Sequence, residues 1–195
     1  MNEILENALK TGKIAGAYLI AGSSPEAAQE QIDEFLLRVF CHTGTGCRTC
    51  PGCVKYLRRS HADLFMIEPT KNTISIGDVR DIPAAIAKKP YEGGFQAVVI
   101  ARADAMTPQA QNALLKAVEE PPDHTVFMLG VQNTKNILPT ILSRCIILKT
   151  SFSPAETERL LHEEHGVPTL RARVLTAAAK GDYHLAAAYL SKGFF

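Results

Sequence analysis

Two patterns of hydrophobic residues alternate along the first 150 residues. Short apolar runs rich in β-branched and aromatic residues predict five strands, at 17–21, 63–68, 96–101, 125–130 and 145–149. Apolar residues at helical spacing predict helices at the start of the chain and near 25–40, 77–88, 108–119 and 135–141. The unbroken runs VVIA (98–101) and CIIL (145–148) are typical of strands buried on both faces. Strands that alternate with helices indicate parallel crossover units, so we predict an α/β fold with a five-stranded parallel sheet flanked by helices.

The pattern changes after Thr150, because no further strand is predicted. Helical spacing continues at 155–165, 170–180 and 183–190. We predict two domains, an α/β domain at 1–150 and a small helical domain at 151–195, with a hinge near 150–153. The chain ends at Phe194-Phe195, which is either a natural end or a point where a longer protein has been cut.

Composition and charge narrow the class of protein. The chain of 195 residues is 46% hydrophobic and 21% charged, as expected for a globular protein with a packed core. A net charge of +1 gives no general attraction to nucleic acids or membranes. No apolar run approaches the ~20 residues of a membrane-spanning helix, and the start of the chain lacks the features of a signal peptide. We therefore expect a cytoplasmic protein that does not associate with a membrane.

Four of the five cysteines are clustered within thirteen positions, as Cys41-x5-Cys47-x2-Cys50-x2-Cys53. In a cytoplasmic chain this clustering favours a metal site over disulfides, and Cys-x2-Cys steps are typical of zinc. Four sulfur ligands leave no open coordination position, so we predict a structural Zn²⁺ module at about 41–53. The alternatives are free or redox-active thiols, and His42 as a competing ligand. Cys145 lies apart from the cluster and is expected to be a buried cysteine in a strand.

A glycine follows the first predicted strand, in the setting of a phosphate-binding loop. That loop needs Gly, four further residues, and then Gly-Lys-Ser/Thr. Counted from Gly22, the last three positions hold Ala27, Ala28 and Gln29. In a phosphate-loop ATPase an apolar strand ends in metal-binding acids, but here the run VVI (98–100) of the third strand is followed by Ala101 and Arg102. We therefore predict the frame of a nucleotide site that binds neither ATP nor Mg²⁺.

Two longer stretches, ADAMTPQAQNALLKAVEEPPDHTVFMLG at 103–130 and LPTILSRC at 138–145, resemble the bacterial clamp-loader ATPase family. HADLFMIEP at 61–69 and KKPYEGGFQAVVI at 88–100 also fit this family, as does the four-cysteine module. Its members are the gamma/tau and delta-prime subunits of the DNA polymerase III holoenzyme. The resemblance implies an AAA+ domain with a zinc module, a helical lid, and a third, collar domain that would begin where this sequence stops.

The resemblance also distinguishes two types of subunit. The gamma-type subunits keep the phosphate loop and hydrolyse ATP, whereas the delta-prime subunits commonly have a degenerate loop. The present chain departs from the ATPase pattern at the loop, after the third strand, and at His184, where the lid is expected to have an arginine. The chain is therefore most similar to the delta-prime type, and we expect it to have no ATPase activity of its own.

Ser143-Arg144-Cys145 matches the finger motif of the family. The resemblance implies that Arg144 reaches the ATP bound to an adjacent gamma-type subunit. A guanidinium supplied in trans stabilises the charge on a transferring phosphoryl group, so Arg144 is the expected catalytic residue of this chain. Asn133 stands at the family's sensor position and Asp104 follows the third strand. Both are expected to be cap or turn residues here.

The resemblance implies gamma/tau and delta subunits as partners and, indirectly, the sliding clamp and primer-template DNA; the chain alone is expected to be monomeric. Two other functions are open. A divergent gamma/tau-type ATPase would bind nucleotide through backbone groups alone. A nucleic-acid-binding zinc module would use the basic residues near the cysteines, which are Arg48, Lys55, Arg58 and Arg59.

Overall fold

The computed structural model describes residues 1–22, 24–69, 72–92, 94–150 and 154–193. Its strands are β1 (Ala17–Gly22), β2 (Leu64–Ile67), β3 (Gln96–Ile100), β4 (Thr125–Val131) and β5 (Ile146–Thr150). They form one parallel sheet in the order β2-β3-β4-β1-β5. Each strand lies within one or two residues of a predicted apolar run. The prediction of a five-stranded parallel sheet is confirmed.

The helices of the described residues are α1 (Glu3–Thr11), α2 (Pro25–Val39), α3 (Pro51–Leu57), α4 (Ile76–Val79), α5 (Ile82–Ile86), α6 (Pro108–Glu119), α7 (Pro139–Leu142), α8 (Pro154–His165), α9 (Thr169–Ala178) and α10 (Tyr183–Ser191). Short 3₁₀ turns lie at Ala103–Ala105 and Thr134–Asn136. α6 begins with Pro108, and the Thr107 hydroxyl caps it by accepting a hydrogen bond from the Ala110 amide at 3.2 Å. None of these helices is both long and apolar enough to cross a membrane.

Prolines explain why two predicted helices are shorter than expected. The stretch 77–88 forms two helices, α4 and α5, and Pro83 lies in the first turn of the second. A proline lacks the amide that would continue a preceding helix, so it is tolerated only at a helix start. The stretch 135–141 is likewise a 3₁₀ turn followed by α7, which begins at Pro139. Pro51 starts α3 in the same way, inside the cysteine region, where no helix was predicted.

Helices cover both faces of the sheet. Alternate residues of a strand point to opposite faces, so Val98 and Phe127 lie in the core beneath α4 to α7. Their neighbours Val99 and Met128 lie in the second core, beneath α1 to α3. β3 and β4 are buried at every position, as the run VVIA predicts. The burial of each Val, Ile, Leu, Phe or Met side chain in these two strands contributes roughly 1.5–3 kcal/mol.

β5 is less buried than the sequence predicts, because it is an edge strand. Among the described strands it pairs with β1 alone. Ile146 and Ile147 are 38% and 44% exposed, whereas Leu148 is buried. The run CIIL therefore does not indicate burial on both faces, because an edge position leaves part of a strand uncovered.

The helices after β5 have a core of their own. α8, α9 and α10 pack around Leu161, Val167, Leu175 and Ala186. Their bounds agree with the three predicted helical stretches to within about two residues. The predicted hinge falls largely on residues 151–153, which lie outside the described residues, as do Phe194 and Phe195.

Candidate functional site

The turn between β1 and α2 occupies the position of a phosphate-binding loop. Ser24 caps α2: its hydroxyl accepts a hydrogen bond from the Ala27 amide at 3.2 Å. The Ser24 carbonyl accepts the first hydrogen bond of the helix itself, from the Ala28 amide at 3.3 Å. The unpaired amides of a first turn are the donors that hold a phosphate at a helix N-terminus. In this chain the Ala27 amide already donates to the Ser24 hydroxyl, and Pro25 has no amide hydrogen.

Ala28, at the position of the loop lysine, is fully buried. A Cβ on Gly22 would lie 3.1 Å from the Ala28 Cβ, and a Cβ on Gly130 would lie 3.5 Å from it. The methyl group of Ala28 is therefore packed against the ends of β1 and β4. The position brings no positive charge to the turn.

A cavity of about 510 Å³ lies beside the first turns of α2 and reaches the ends of β2 and β3. Its charged lining residues are four acids and one arginine, namely Glu26, Glu30, Asp33, Glu68 and Arg102. Ala101 lines the cavity where an ATPase would have a metal-binding carboxylate. Like charges in one site repel each other, so this excess of carboxylates disfavours a bound triphosphate.

Asp104 and Asn133 hold turns at the same edge of the sheet. Asp104 Oδ2 accepts hydrogen bonds from the amides of Gln132 and Asn133, at 3.2 and 3.3 Å. Asn133 Oδ1 accepts one from the Lys135 amide at 3.0 Å. Both side chains therefore have the cap and turn roles that were predicted from the sequence.

Arg144 follows the last turn of α7, where three oxygen atoms hold its guanidinium. Nη1 donates to the carbonyl of Thr140 at 2.9 Å and to the Ser143 hydroxyl at 3.3 Å. Nη2 donates to Glu119 Oε1 at 2.7 Å. The Arg144 side chain is 32% exposed and that of Glu119 is 51% exposed, so solvent screens this ion pair. The hydrogen bond lowers the pKa of Glu119 and raises the pKa of Arg144.

Cys145, the last residue of the motif, points toward the core. It packs against the cluster beneath α4 to α7. Burial raises the pKa of its thiol to about 11, so the thiol is neutral near pH 7. A neutral, largely buried thiol is a packing group, and within Ser143-Arg144-Cys145 the group suited to contact an anion is Arg144.

The four clustered cysteines converge in the structure. The sulfur atoms of Cys41, Cys47, Cys50 and Cys53 lie within 4.8 Å of one another. The Sγ atom of Cys41 is 3.7 Å from that of Cys47 and 3.9 Å from that of Cys50. A tetrahedral zinc with Zn–S distances of about 2.3 Å separates its sulfurs by about 3.8 Å, so this arrangement fits zinc. His42 is exposed and is not part of the group.

Gly52 lets the two halves of the cysteine cluster approach each other. A Cβ at this position would lie 2.0 Å from the carbonyl oxygen of Phe40, the residue before Cys41. Only glycine fits such a backbone contact. A hydrogen bond from Thr43 lowers the pKa of Cys41 to about 4, while burial raises that of Cys53 to about 12.

The sequence does not reveal a polar network that joins the cysteine module to α2. Tyr56 of α3 donates a hydrogen bond to Asp33 Oδ1, and Gln29 Nε2 donates to the same oxygen at 2.8 Å. Arg59 pairs with Asp33 at 3.2 Å and lies over the Tyr56 ring at 5.4 Å. The basic doublet Arg58-Arg59 is visible in the sequence, but the acid that pairs with Arg59 lies 26 positions earlier in the chain. This network connects the module to α2, the helix that follows the turn after β1.

His61 and Asp63 also have structural roles. The Asp63 carboxylate accepts hydrogen bonds from the amides of Tyr91 and Glu92, at 2.6 and 2.9 Å. His61 is buried against the Phe40 ring, with 4.1 Å between ring centroids, and burial lowers its pKa. The two side chains hold the loop before β3. The side chain of His184 in α10, where the family resemblance implies an arginine, lies outside what the structure describes.

Solved structures share this fold. A DNA polymerase III gamma subunit-related protein from Thermotoga maritima has a TM-score of 0.60 and is 27% identical, and the match covers 96% of this chain and 60% of that protein. A RuvB mutant from Thermotoga maritima has a TM-score of 0.54 at 13% identity, covers 93% of this chain and 55% of that one, and shows the fold alone. The fold is therefore AAA+-like.

Sequence comparison narrows this class to one family. A family model described as DNA polymerase III, delta subunit matches residues 1–154. The chain is 32% identical over 188 residues to DNA polymerase III subunit tau of Escherichia coli, and the match covers 91% of this chain and 29% of tau. It is 31% identical over 137 residues to subunit delta' of Pseudomonas aeruginosa, covering 68% of this chain and 42% of that subunit. The chain belongs to the DNA polymerase III clamp-loader family of delta' and tau subunits, and it spans less than half the length of these relatives.

Proposed function

We propose that this chain is a delta-prime-type clamp-loader subunit that does not hydrolyse ATP and that supplies Arg144 to the ATPase site of a neighbouring subunit. The observation that carries the proposal is the contrast between two sites. At the loop, the Ser24 hydroxyl occupies the Ala27 amide, and Ala28 is buried in place of a lysine. After α7, Arg144 keeps a partly exposed guanidinium. Such a chain lacks the groups that bind a nucleotide but keeps the one that assists a neighbour.

Arg144 would act through its charge and its shape. A guanidinium carries five N–H donors in a planar fork. The hydrogen bonds to Thr140, Ser143 and Glu119 engage three of them, which leaves two for phosphate oxygens. The transferring phosphoryl group spreads negative charge over its oxygens, so a fork beside it stabilises the transition state. An arginine supplied in trans also makes hydrolysis depend on the alignment of the two subunits.

The proposed partners follow from membership of the family. The chain would assemble with gamma/tau-type ATPase subunits and with a delta subunit, in a complex that loads the sliding clamp on primer-template DNA. Residues 1–150 would form the AAA+ domain and residues 151–195 the helical lid. The separate core of α8, α9 and α10 supports this division.

We further propose that Cys41, Cys47, Cys50 and Cys53 hold a structural zinc ion. The distances between their sulfur atoms support this assignment. A zinc ion with four thiolate ligands has no open position, so it would stabilise the module and take no part in a reaction. The purified protein is expected to contain about one zinc per chain, and Cys50→Ser should lose it. The matched control, Cys145→Ser, should retain the metal, and equal zinc content in both variants would contradict the assignment.

Nucleotide binding is the first test of the proposed function. A fluorescent ATP analogue is titrated with Mg²⁺ into the purified protein, and the same titration is made with a gamma-type subunit as the positive control. We expect saturation for the gamma-type subunit and no binding to this chain at high micromolar concentration. Mg²⁺-dependent binding to this chain would instead support the divergent ATPase.

The role of Arg144 is tested in a reconstituted clamp loader. The gamma-type subunits in this assay carry alanine in place of their own finger arginines, so that the ATPase site beside this chain dominates the signal. Arg144→Ala should lower the ATP turnover of that site by about 10³-fold or more. Full turnover with the variant, in a complex that still assembles, would refute the finger assignment.

The nucleic-acid-binding alternative has less support from the structure. Lys55 is paired with Glu92 at 2.7 Å and Arg59 with Asp33 at 3.2 Å. Two of the four basic residues near the cysteines are thus already neutralised. Binding of the isolated protein to single-stranded DNA that weakens steeply with salt would favour this alternative.

A further inference from the structure

The ion pair between Arg144 and Glu119 joins two motifs that are separate in the sequence. Glu119 is the last residue of α6, and Arg144 follows the end of α7, 25 positions later. The contact of 2.7 Å between Nη2 and Oε1 is a charge-assisted hydrogen bond. Glu120, the adjacent acid, is also exposed, and no ion pair or side-chain hydrogen bond in the described residues involves it.

α6 also holds the backbone that leads into α7. Gln111 of α6 is buried, at 2% exposure. Its Nε2 donates to the Asn136 carbonyl at 2.8 Å, and its Oε1 accepts from the Leu138 amide at 2.8 Å. The amide of this one side chain therefore spans the segment that begins α7. Near its start α6 determines where α7 lies, and at its end α6 determines where the Arg144 guanidinium lies.

We propose that Glu119 is a positioning residue for Arg144, an inference that rests on the proposed function of that arginine. An arginine side chain on a surface populates many rotamers, and ordering them on binding reduces the gain from each hydrogen bond. Glu119 restricts this freedom before a neighbour docks. Two guanidinium N–H donors remain for phosphate oxygens while the contact with Glu119 is kept.

Two hydrogen bonds of the Arg144 guanidinium do not involve Glu119. Thr140 and Ser143 still accept hydrogen bonds from Nη1 when Glu119 is removed. The loss should therefore match that of a partly exposed ion pair, about twofold to fivefold in rate. It should appear in kcat, because a finger contact acts in the transition state, and the KM for ATP should stay within about twofold.

The experiment uses the reconstituted loader described above. Glu119→Ala removes the contact. Glu119→Gln removes the charge but keeps an Oε1 acceptor for Nη2. Glu120→Ala is the matched control, because it removes the same charge one residue away. The steady-state kcat and KM for ATP are measured for each variant and for Arg144→Ala, after circular dichroism has established that each variant is folded.

We expect Glu119→Ala to lower kcat twofold to fivefold. Glu119→Gln, which keeps an acceptor but loses the charge, should lie between Glu119→Ala and the unmodified protein, and Glu120→Ala should retain the unmodified rate. Equal rates for Glu119→Ala and Glu120→Ala, with Arg144→Ala impaired, would overturn the role of Glu119 and leave the finger intact. A higher rate with Glu119→Ala would also overturn it, since the carboxylate would then restrain the arginine. An unimpaired Arg144→Ala would refute the proposed function itself.

Discussion

Gly52→Ala should disrupt the cysteine module. The new Cβ would lie 2.0 Å from the Phe40 carbonyl oxygen, whereas real Cβ contacts essentially never fall below 3.0 Å. The two backbone segments must therefore separate by about 1 Å. Neither atom belongs to a flexible side chain, so the strain cannot be relieved by a rotamer change.

The expected cost of Gly52→Ala follows from this displacement. Overpacking costs about 1–3 kcal/mol, and a clash between two backbones belongs at the upper end. For a chain of this size, about 3 kcal/mol lowers Tm by roughly 6–12 °C. The shift also moves Cys41 relative to Cys50 and Cys53 by more than the ~0.2 Å that a metal site tolerates. Zinc affinity should fall along with stability.

Thermal unfolding followed by circular dichroism, with and without a chelator, measures the loss of stability, and a chromogenic chelator measures zinc affinity. Gly77→Ala is the matched control, because a Cβ there would meet only the Ser75 hydroxyl at 3.5 Å. An alanine inside a short helix should leave Tm unchanged or raise it slightly. If both variants unfold at the same temperature and bind zinc equally, the packing argument for Gly52 is wrong.

Three further predictions concern α6 and the motif after α7. Gln111→Leu leaves the hydrogen-bonding groups of the segment before α7 without partners and should destabilise the protein by about 2–4 kcal/mol, as measured by urea unfolding. The control Gln109→Leu changes an exposed residue and should have little effect. Equal losses of stability in the two variants would show that the hydrogen bonds of Gln111 do not hold this segment. The pKa of Glu119, measured by NMR, should lie below the ordinary value of 4.5 and return toward it in Arg144→Ala; because the folded pKa is depressed, the stabilisation is present above 4.5 and is lost as pH falls through the folded pKa. Cys145, with a pKa of about 11 against 9.0 for a free thiol, should react with iodoacetamide near pH 7 roughly a hundredfold more slowly than in the unfolded chain, and equal rates would contradict its burial.

The sheet was predictable because its signal is local. Each apolar run is long enough for one strand, and the parallel order follows from the helices between the strands. Pro83 in the sequence indicates the break between α4 and α5. The helical spacing of the apolar residues at 77–88 nevertheless led to the prediction of one continuous helix. The exposure of Ile147 on β5 was not predictable, because an edge strand and a central strand can have the same composition.

The candidate sites were predictable to different extents. The spacing of the cysteines alone predicted their convergence, since ligands that close together in sequence can reach one ion. The contacts of Arg144 with Glu119 and of Asp33 with Arg59 were not predictable, because they join residues about 25 positions apart. Such contacts depend on which helix lies beside which, and any surface acid would satisfy the same charge pattern.

The amino-acid sequence establishes what the loop and the end of the third strand lack, since no fold restores a lysine at Ala28 or a carboxylate at Ala101. It also determined that four thiols lie near one another and that an arginine follows α7. The packing of distant segments was needed to show that Asp104 accepts the amides of Gln132 and Asn133 and that Glu119 holds Arg144. The physical reason is that the presence of a chemical group is a property of the residue, whereas its hydrogen-bond partner depends on the packing of distant segments.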